Sequence, residues 1–365
     1  RDLRMSRGLG DVYKRQDLTP EELGELLSNG DGLIRFKGEW VRVDARKVRD
    51  LMDRWTQAAR MMSSLGIPLV QGLRMLVNGP SGQLVQIPEP DEDCVMEPGQ
   101  NLRQTLDILA GKVPVSIPEL PSRLDALMRP YQKEGFSFLY RITEQGFGAC
   151  LADDMGLGKT LQAIAWLDTL RRKGRLEGLP ALIVAPASLL SNWKEEAQRF
   201  APELILRIMH PSSPDPWQPE KNLRRKDCHA VITTYGMAAR TSALADLHFP
   251  AIILDEAQAI KNAGSARSRA IRSLHGERRI ALSGTPVENN LNELWSLMEF
   301  LNPGLLGSRK SFESFTRSLE RGYAPLRRLV RPFILRRMKT DPALVPDLPD
   351  KTEIPAYCSL TPEQA

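Results

Sequence analysis

Cysteine is scarce in this chain of 365 residues: Cys94, Cys150, Cys228 and Cys358 lie far apart, and no two form a C-x-x-C pair. That spacing excludes a disulfide framework and a conventional zinc module, and it suits a reducing compartment. Histidine is equally sparse. His210, His229, His248 and His275 fall into no metal-binding spacing, so structural or solvated roles are expected of them. Aromatic residues make up 6% of the chain, and Trp193 and Trp295, both on helical stretches, read as core or interface residues rather than base-stacking platforms. No apolar run approaches the roughly 20 residues that a membrane helix needs. The charged opening contains no apolar stretch of a signal peptide. A cytoplasmic location without a membrane partner is therefore expected. G-x-S-x-G and G-x-G-x-x-G followed by a ribose-binding acid are both absent, which removes a hydrolase elbow and a dinucleotide site.

What is present is ordinary for a folded protein: 42% hydrophobic and 26% charged residues, enough for about two or three domains. The net charge of +5 is unevenly spread. Residues 1–16 carry five basic and two acidic groups, resemble translated adapter read-through, and are set aside as an artefact. From Arg309 to Lys339 ten basic residues face Glu313 and Glu320 alone, a local basic surface on a near-neutral body.

Residues 17–115 read as a separate, mostly helical unit. Thr19-Pro20-Glu21-Glu22 is a helix start, residues 33–43 suggest a short hairpin, and Asp44 caps a helix to about Ser63. Pro114, Pro118 and Pro121 mark a linker. Five short apolar strands then alternate with helical stretches: 147–152, 181–185, 230–234, 251–255 and 279–283. That order predicts an α/β fold with a parallel sheet covered by helices on both faces.

The chemistry begins at LADDMGLGKT, residues 151–160. A strand ends, a glycine-bearing loop follows, and Lys159-Thr160 open a helix. Such a loop turns backbone amides and a helix N-terminus towards phosphate oxygens. Asp154, Met155, Gly156, Leu157 and Gly158 would form the loop, Lys159 would reach the β- and γ-phosphates, and Thr160 would bind Mg²⁺. The strict G-x-x-x-x-G-K-T pattern is relaxed, because Asp153 stands at its first glycine position. The alternative is a glycine-rich turn with a surface lysine. A second signal, Asp255-Glu256 at the end of AIILDEAQ, brings carboxylates to the same sheet edge. Asp255 would hold Mg²⁺, and Glu256 would orient or deprotonate the attacking water.

From about Leu124 to Gln364 the chain resembles the first motor lobe of the SWI/SNF-related (Snf-type) ATPases of helicase superfamily two. Seven stretches carry the resemblance: MRPYQKEGFSFL, LADDMGLGKT, ALIVAPASLLSNWKEEAQRF, VITTYGM, LDEAQAIKN, ALSGTPVENNLNELWSLMEFLNPGLLG and FILRRMKTD. The D-E-A-Q variant and the preceding unit resemble the bacterial branch with an Snf-associated N-terminal domain. The resemblance implies a RecA-like ATP-binding lobe over 116–340, that N-terminal domain over 17–115, and a linker over 341–365 leading to a second lobe that this chain lacks. It implies ATP and Mg²⁺ as cofactors, double-stranded DNA as partner, and RNA polymerase or another nucleoprotein as a further one. Gln132 would read adenine, while Gln258, Ser283, Gly284 and Thr285 would couple hydrolysis to movement. Ser188, Thr233, Thr234, Lys261 and Asn262 are its DNA-contact candidates. Arg336 and Arg337 join them, with DNA or the other lobe's acidic surface as their counterpart. The lobe alone is expected to bind ATP without efficient hydrolysis. Two rival readings are an RNA-directed helicase and a docking scaffold that does not hydrolyse ATP.

Overall fold

The computed structural model describes residues 3–6, 32–36, 39–43, 95–98, 100–219, 228–285, 291–317 and 323–341. In the first part of the chain, β1 (Leu3–Ser6) pairs antiparallel with β4 (Val95–Pro98). The expected hairpin forms from β2 (Gly32–Phe36) and β3 (Glu39–Val43). The helices expected near Thr19 and over 44–63 lie outside the described residues. Residues Leu3–Ser6 belong to the segment that the sequence sets aside, and they carry a strand.

Beyond α1 (Gln100–Leu109) and α2 (Ser122–Leu127) the chain builds one RecA-like sheet. All five expected strands form: β5 (Ala149–Leu151), β6 (Ala181–Ala185), β8 (Ala230–Thr234), β10 (Ile252–Leu254) and β12 (Arg279–Leu282). β7 (Leu206–Met209) and β13 (Ile334–Leu335) are added at the edges. The seven strands run in the order β13-β5-β12-β10-β6-β8-β7, and every pairing is parallel. Two more strands, β9 (His248–Phe249) and β11 (His275–Gly276), pair separately. The central strands are unbroken apolar runs because a parallel strand covered on both faces has no polar side; β6 and β10 are buried throughout.

The covering helices include α3 (Pro130–Glu144), α4 (Lys159–Arg172), α5 (Leu190–Phe200) and the helix Leu291–Leu301. α4 is buried almost all round, and its Trp166 is fully enclosed. The Trp166 indole donates to Thr143 Oγ1 at 3.1 Å, which ties α4 to α3. The start of β5 is anchored by Asn302, whose side chain bonds both the N–H and the C=O of Gly148. Trp193 and Trp295 are both buried, as expected of core residues, and Trp295 donates to the Gly307 carbonyl.

This topology delivers the carboxyl ends of β5, β6, β8, β10, β12 and β13 to one edge of the sheet. In open α/β sheets that edge is where ligands bind.

Candidate nucleotide site

The phosphate loop leaves β5 and turns twice through left-handed backbone, at Gly156 (φ 82°) and Gly158 (φ 75°). Gly158 is required for a second reason: a Cβ there would lie 2.3 Å from Gln132 Nε2. The loop ends at the N-terminus of α4, where Lys159 and Thr160 stand. Lys159 is 8% exposed, and its ammonium folds back onto the Asp153 and Asp154 carbonyls at 2.7 and 3.3 Å. Met155 is exposed at the loop's tip, where its side chain meets Gly284. Leu157 packs beneath it against Tyr131.

Gln132 sits against this loop. Its Oε1 accepts from the Arg129 N–H at 3.0 Å, capping α3, and its Nε2 donates to the Leu157 carbonyl at 3.3 Å. One amide thus presents both a donor and an acceptor at the nucleotide loop.

The carboxylates follow β10. Asp255 is 4% exposed, accepting from Trp193 Nε1 at 2.7 Å and from the Glu256 N–H at 2.9 Å. The Tyr235 hydroxyl donates to its backbone carbonyl at 2.7 Å. Burial holds the Asp255 carboxyl above the usual range; Glu256 adds to that, while the Trp193 N–H and the Lys159 ammonium oppose it. Burial, reinforced by the Asp255 and Glu256 charges, also pushes the Tyr235 phenol well up, so it remains a donor. Glu256 itself adopts φ 49°, the one left-handed non-glycine residue among the described residues. Strain of that kind costs about 1–3 kcal/mol and collects at functional positions.

Three of the four coupling candidates, all but Gly284, join Glu256 in a hydrogen-bonded chain. Gln258 Nε2 donates to Glu256 Oε2 at 2.6 Å, Ser283 Oγ donates to Gln258 Oε1 at 3.0 Å, and the Thr285 N–H donates to Ser283 Oγ at 3.1 Å. A carboxylate after β10 is thereby connected to the turn after β12.

The DNA-contact candidates separate. Ser188 and Asn262 are exposed, Lys261 is half-buried, and Arg336 is exposed. Thr234 uses its hydroxyl to cap α6 (Tyr235–Arg240), accepting from the Met237 N–H. Thr233 and Arg337 need correcting. Thr233 is fully buried and donates to the Met209 carbonyl, because β8 is covered on both faces as far as this residue. Arg337 is 8% exposed and clasps Asp153, with Nε 2.9 Å from Oδ1 and Nη2 2.5 Å from Oδ2. Its guanidinium also donates to the Tyr131 carbonyl and to Gln162 Oε1. Neither side chain is available to a phosphate backbone. Breaking a buried pair of this kind costs about 3–5 kcal/mol.

Two residues at the site were not singled out as functional from sequence: Asp153, and Trp193 as donor to Asp255. Asp153 alone carried a signal, as a charged residue where a strict loop has glycine.

A family model described as the SNF2-related domain matches residues 131–365. The chain belongs to this family. A second model, described as an SNF2 helicase protein, matches residues 2–77 of this SNF2-related chain. YwqA of Bacillus subtilis, named as a candidate ATP-dependent helicase/translocase, is 37% identical over 96% of the chain. The chromatin-remodelling ATPase INO80 of Pyricularia oryzae is 36% identical over 76% of the chain. Among solved structures, the Sulfolobus solfataricus SWI2/SNF2 ATPase core in complex with double-stranded DNA is 41% identical over 68% of the chain, with a TM-score of 0.58. The chain spans 38% of YwqA, 15% of that INO80 and 52% of the Sulfolobus chain. No helix among the described residues is long and apolar enough to cross a membrane.

Proposed function

We propose that this SNF2-related chain is the ATP-binding lobe of a DNA-dependent ATPase that translocates on double-stranded DNA and acts on nucleoprotein complexes. The observation that carries this reading is the convergence of Lys159, Asp255 and Glu256 on one sheet edge, with Lys159 close enough for its charge to act on the Asp255 carboxyl. The residues fit Mg²⁺–ATP. Two left-handed glycines open the loop amides, and a buried ammonium lies in the loop. Mg²⁺ in such sites keeps phosphate and water ligands and needs one or two protein oxygens. Thr160 and Asp255 would supply them; among the described residues no cluster of three or more His, Cys, Asp or Glu forms a metal site.

In this reading Lys159 leaves the Asp153 and Asp154 carbonyls for the phosphates, where it offsets charge that develops in phosphoryl transfer. Glu256 orients the attacking water and takes its proton. Gln132 exchanges its bonds to Arg129 and Leu157 for an adenine edge. The relay through Gln258 and Ser283 to Thr285 passes the state of Glu256 to the neighbouring turn. Ser188, Thr234, Lys261, Asn262 and Arg336 lie after strand ends or beside the loop, at the edge proposed to face DNA. The duplex bound to the Sulfolobus relative supports that choice of partner. The division at 17–115, 116–340 and 341–365 is part of the same proposal, as is a nucleoid-associated location.

Rapid turnover needs an arginine delivered to the γ-phosphate, an effect of about 10³–10⁵ in such enzymes. Arg337, beside the loop, is committed to Asp153. The chain alone is therefore proposed to bind ATP and hydrolyse it slowly. Phosphate release should stay near background with or without duplex DNA, and a second motor lobe supplied as a separate chain should restore DNA-stimulated turnover. Strong DNA stimulation of this chain alone, or stimulation by RNA in preference to duplex DNA, would refute the respective part of the proposal.

A further inference from the structure

We propose that Arg337 is a positioning residue of the phosphate loop: by neutralising Asp153 it keeps the Lys159 ammonium available to a nucleotide's phosphates. This rests on the ATP-site reading above and extends it to a residue outside the loop.

The Asp153 carboxylate is fully buried, and both of its oxygens are taken by Arg337. The same residue's carbonyl receives the Lys159 ammonium at 2.7 Å. Without the guanidinium, an unneutralised buried carboxylate would remain on the very residue whose carbonyl holds Lys159, in a setting where charges are weakly screened. It would compete with phosphate for the lysine.

The placement of Arg337 is built rather than incidental. Beyond β13 the chain continues alongside the loop: the Ala152 N–H donates to the Leu335 carbonyl, the Asp154 N–H to the Arg337 carbonyl, and the Lys339 N–H to Asp154 Oδ2. Alternation along this extended run leaves Arg336 and Met338 exposed and turns Arg337 inward. Room is made by Gly135 on α3, where a Cβ would lie 2.7 Å from Arg337 Nη2 and 1.7 Å from Gln162 Oε1. The Tyr131 ring lies under the guanidinium, with its centroid 5.3 Å away. A bidentate, stacked guanidinium of this kind is not replaced by an ammonium.

A purely structural clasp would lower stability when broken, yet charge removal would not restore nucleotide binding. The test is therefore the affinity for a fluorescent ADP analogue with Mg²⁺, measured beside the melting temperature. Lys159→Ala and Arg337→Ala should each weaken binding by about ten- to a hundredfold, the scale of one lost charge-assisted contact. The double variant Asp153→Asn/Arg337→Ala should recover to within about threefold of the wild type while still melting lower. Wild-type affinity in Arg337→Ala, or a double variant no tighter than that single one, would overturn the proposal. Should Arg337→Ala fail to fold, Asp153→Asn alone decides: it should bind at least as tightly as the wild type, and weaker binding would overturn the role. An unaffected Lys159→Ala would bring down the ATP-site reading, and this proposal with it. An effect of Lys159→Ala without one of Arg337→Ala would bring down the positioning role alone.

Discussion

Asp255 combines a buried carboxyl, two hydrogen-bond donors and a neighbouring Glu256, and these oppose one another. Burial is the largest influence and raises its pKa. The folded state thus holds this proton more tightly than the unfolded chain does. The stability that follows is present below the ordinary carboxylate pKa and is lost as pH rises through the raised value. In the absence of nucleotide, the difference in melting temperature between wild type and Asp255→Asn should shift against the wild type from acidic to neutral pH. A difference independent of pH would contradict that assignment. Cys150 gives a second residue-scale test. Burial, with the Asp153 charge behind it, pushes this thiol up to about 12. At pH 8 it has almost no thiolate, so its alkylation in the folded protein should proceed only as fast as the protein opens. Mass spectrometry showing fast labelling of Cys150 without unfolding would be inconsistent with its placement on β5.

Backbone meets backbone closely where β5 begins. A Cβ on Gly148 would stand 2.5 Å from the Leu301 carbonyl oxygen, a backbone atom that cannot rotate away. Gly148→Ala should therefore destabilise the lobe by about 1–3 kcal/mol, as overpacking does. Gly178, which meets nothing within 4 Å, should tolerate alanine within about 0.5 kcal/mol. Denaturant unfolding of both variants checks the contrast; equal effects would contradict the packing. The same scale shows what the sequence could reveal. Strands β6 and β8 match their expected ranges residue for residue, since burial of all of β6 and of β8 up to Thr233 leaves a near-continuous pattern. β7 was hidden because Arg207 and Ile208 are half-buried on an edge strand, and β13 because two residues make no pattern. The loop lysine, the carboxylate pair and the residues Gln258, Ser283 and Thr285 could be picked out because each stands in a dense motif, but the hydrogen bonds that join the last three to Glu256 could not. Arg337 was not: Arg336 and Arg337 are chemically identical in sequence, and only the strand-like alternation after β13 sends one out and the other in.

For the whole molecule, charge distribution matters more than the net +5. Arg327, Arg328, Arg331 and Arg336 are exposed within the basic segment. If they meet DNA phosphates, duplex affinity should fall with salt by about 0.9 log units per log unit of salt for each phosphate neutralised. Arg331→Glu with Arg336→Glu should flatten that slope; an unchanged slope would assign the surface to a protein partner. All of this presupposes that the sheet edge holds a nucleotide. The direct measurement is calorimetric titration of Mg²⁺–ATP into the chain and into Lys159→Ala. The account predicts saturable binding to a single site, weakened in the variant by about 1.5–3 kcal/mol. No binding to the folded wild-type chain, or equal binding to both, would contradict it.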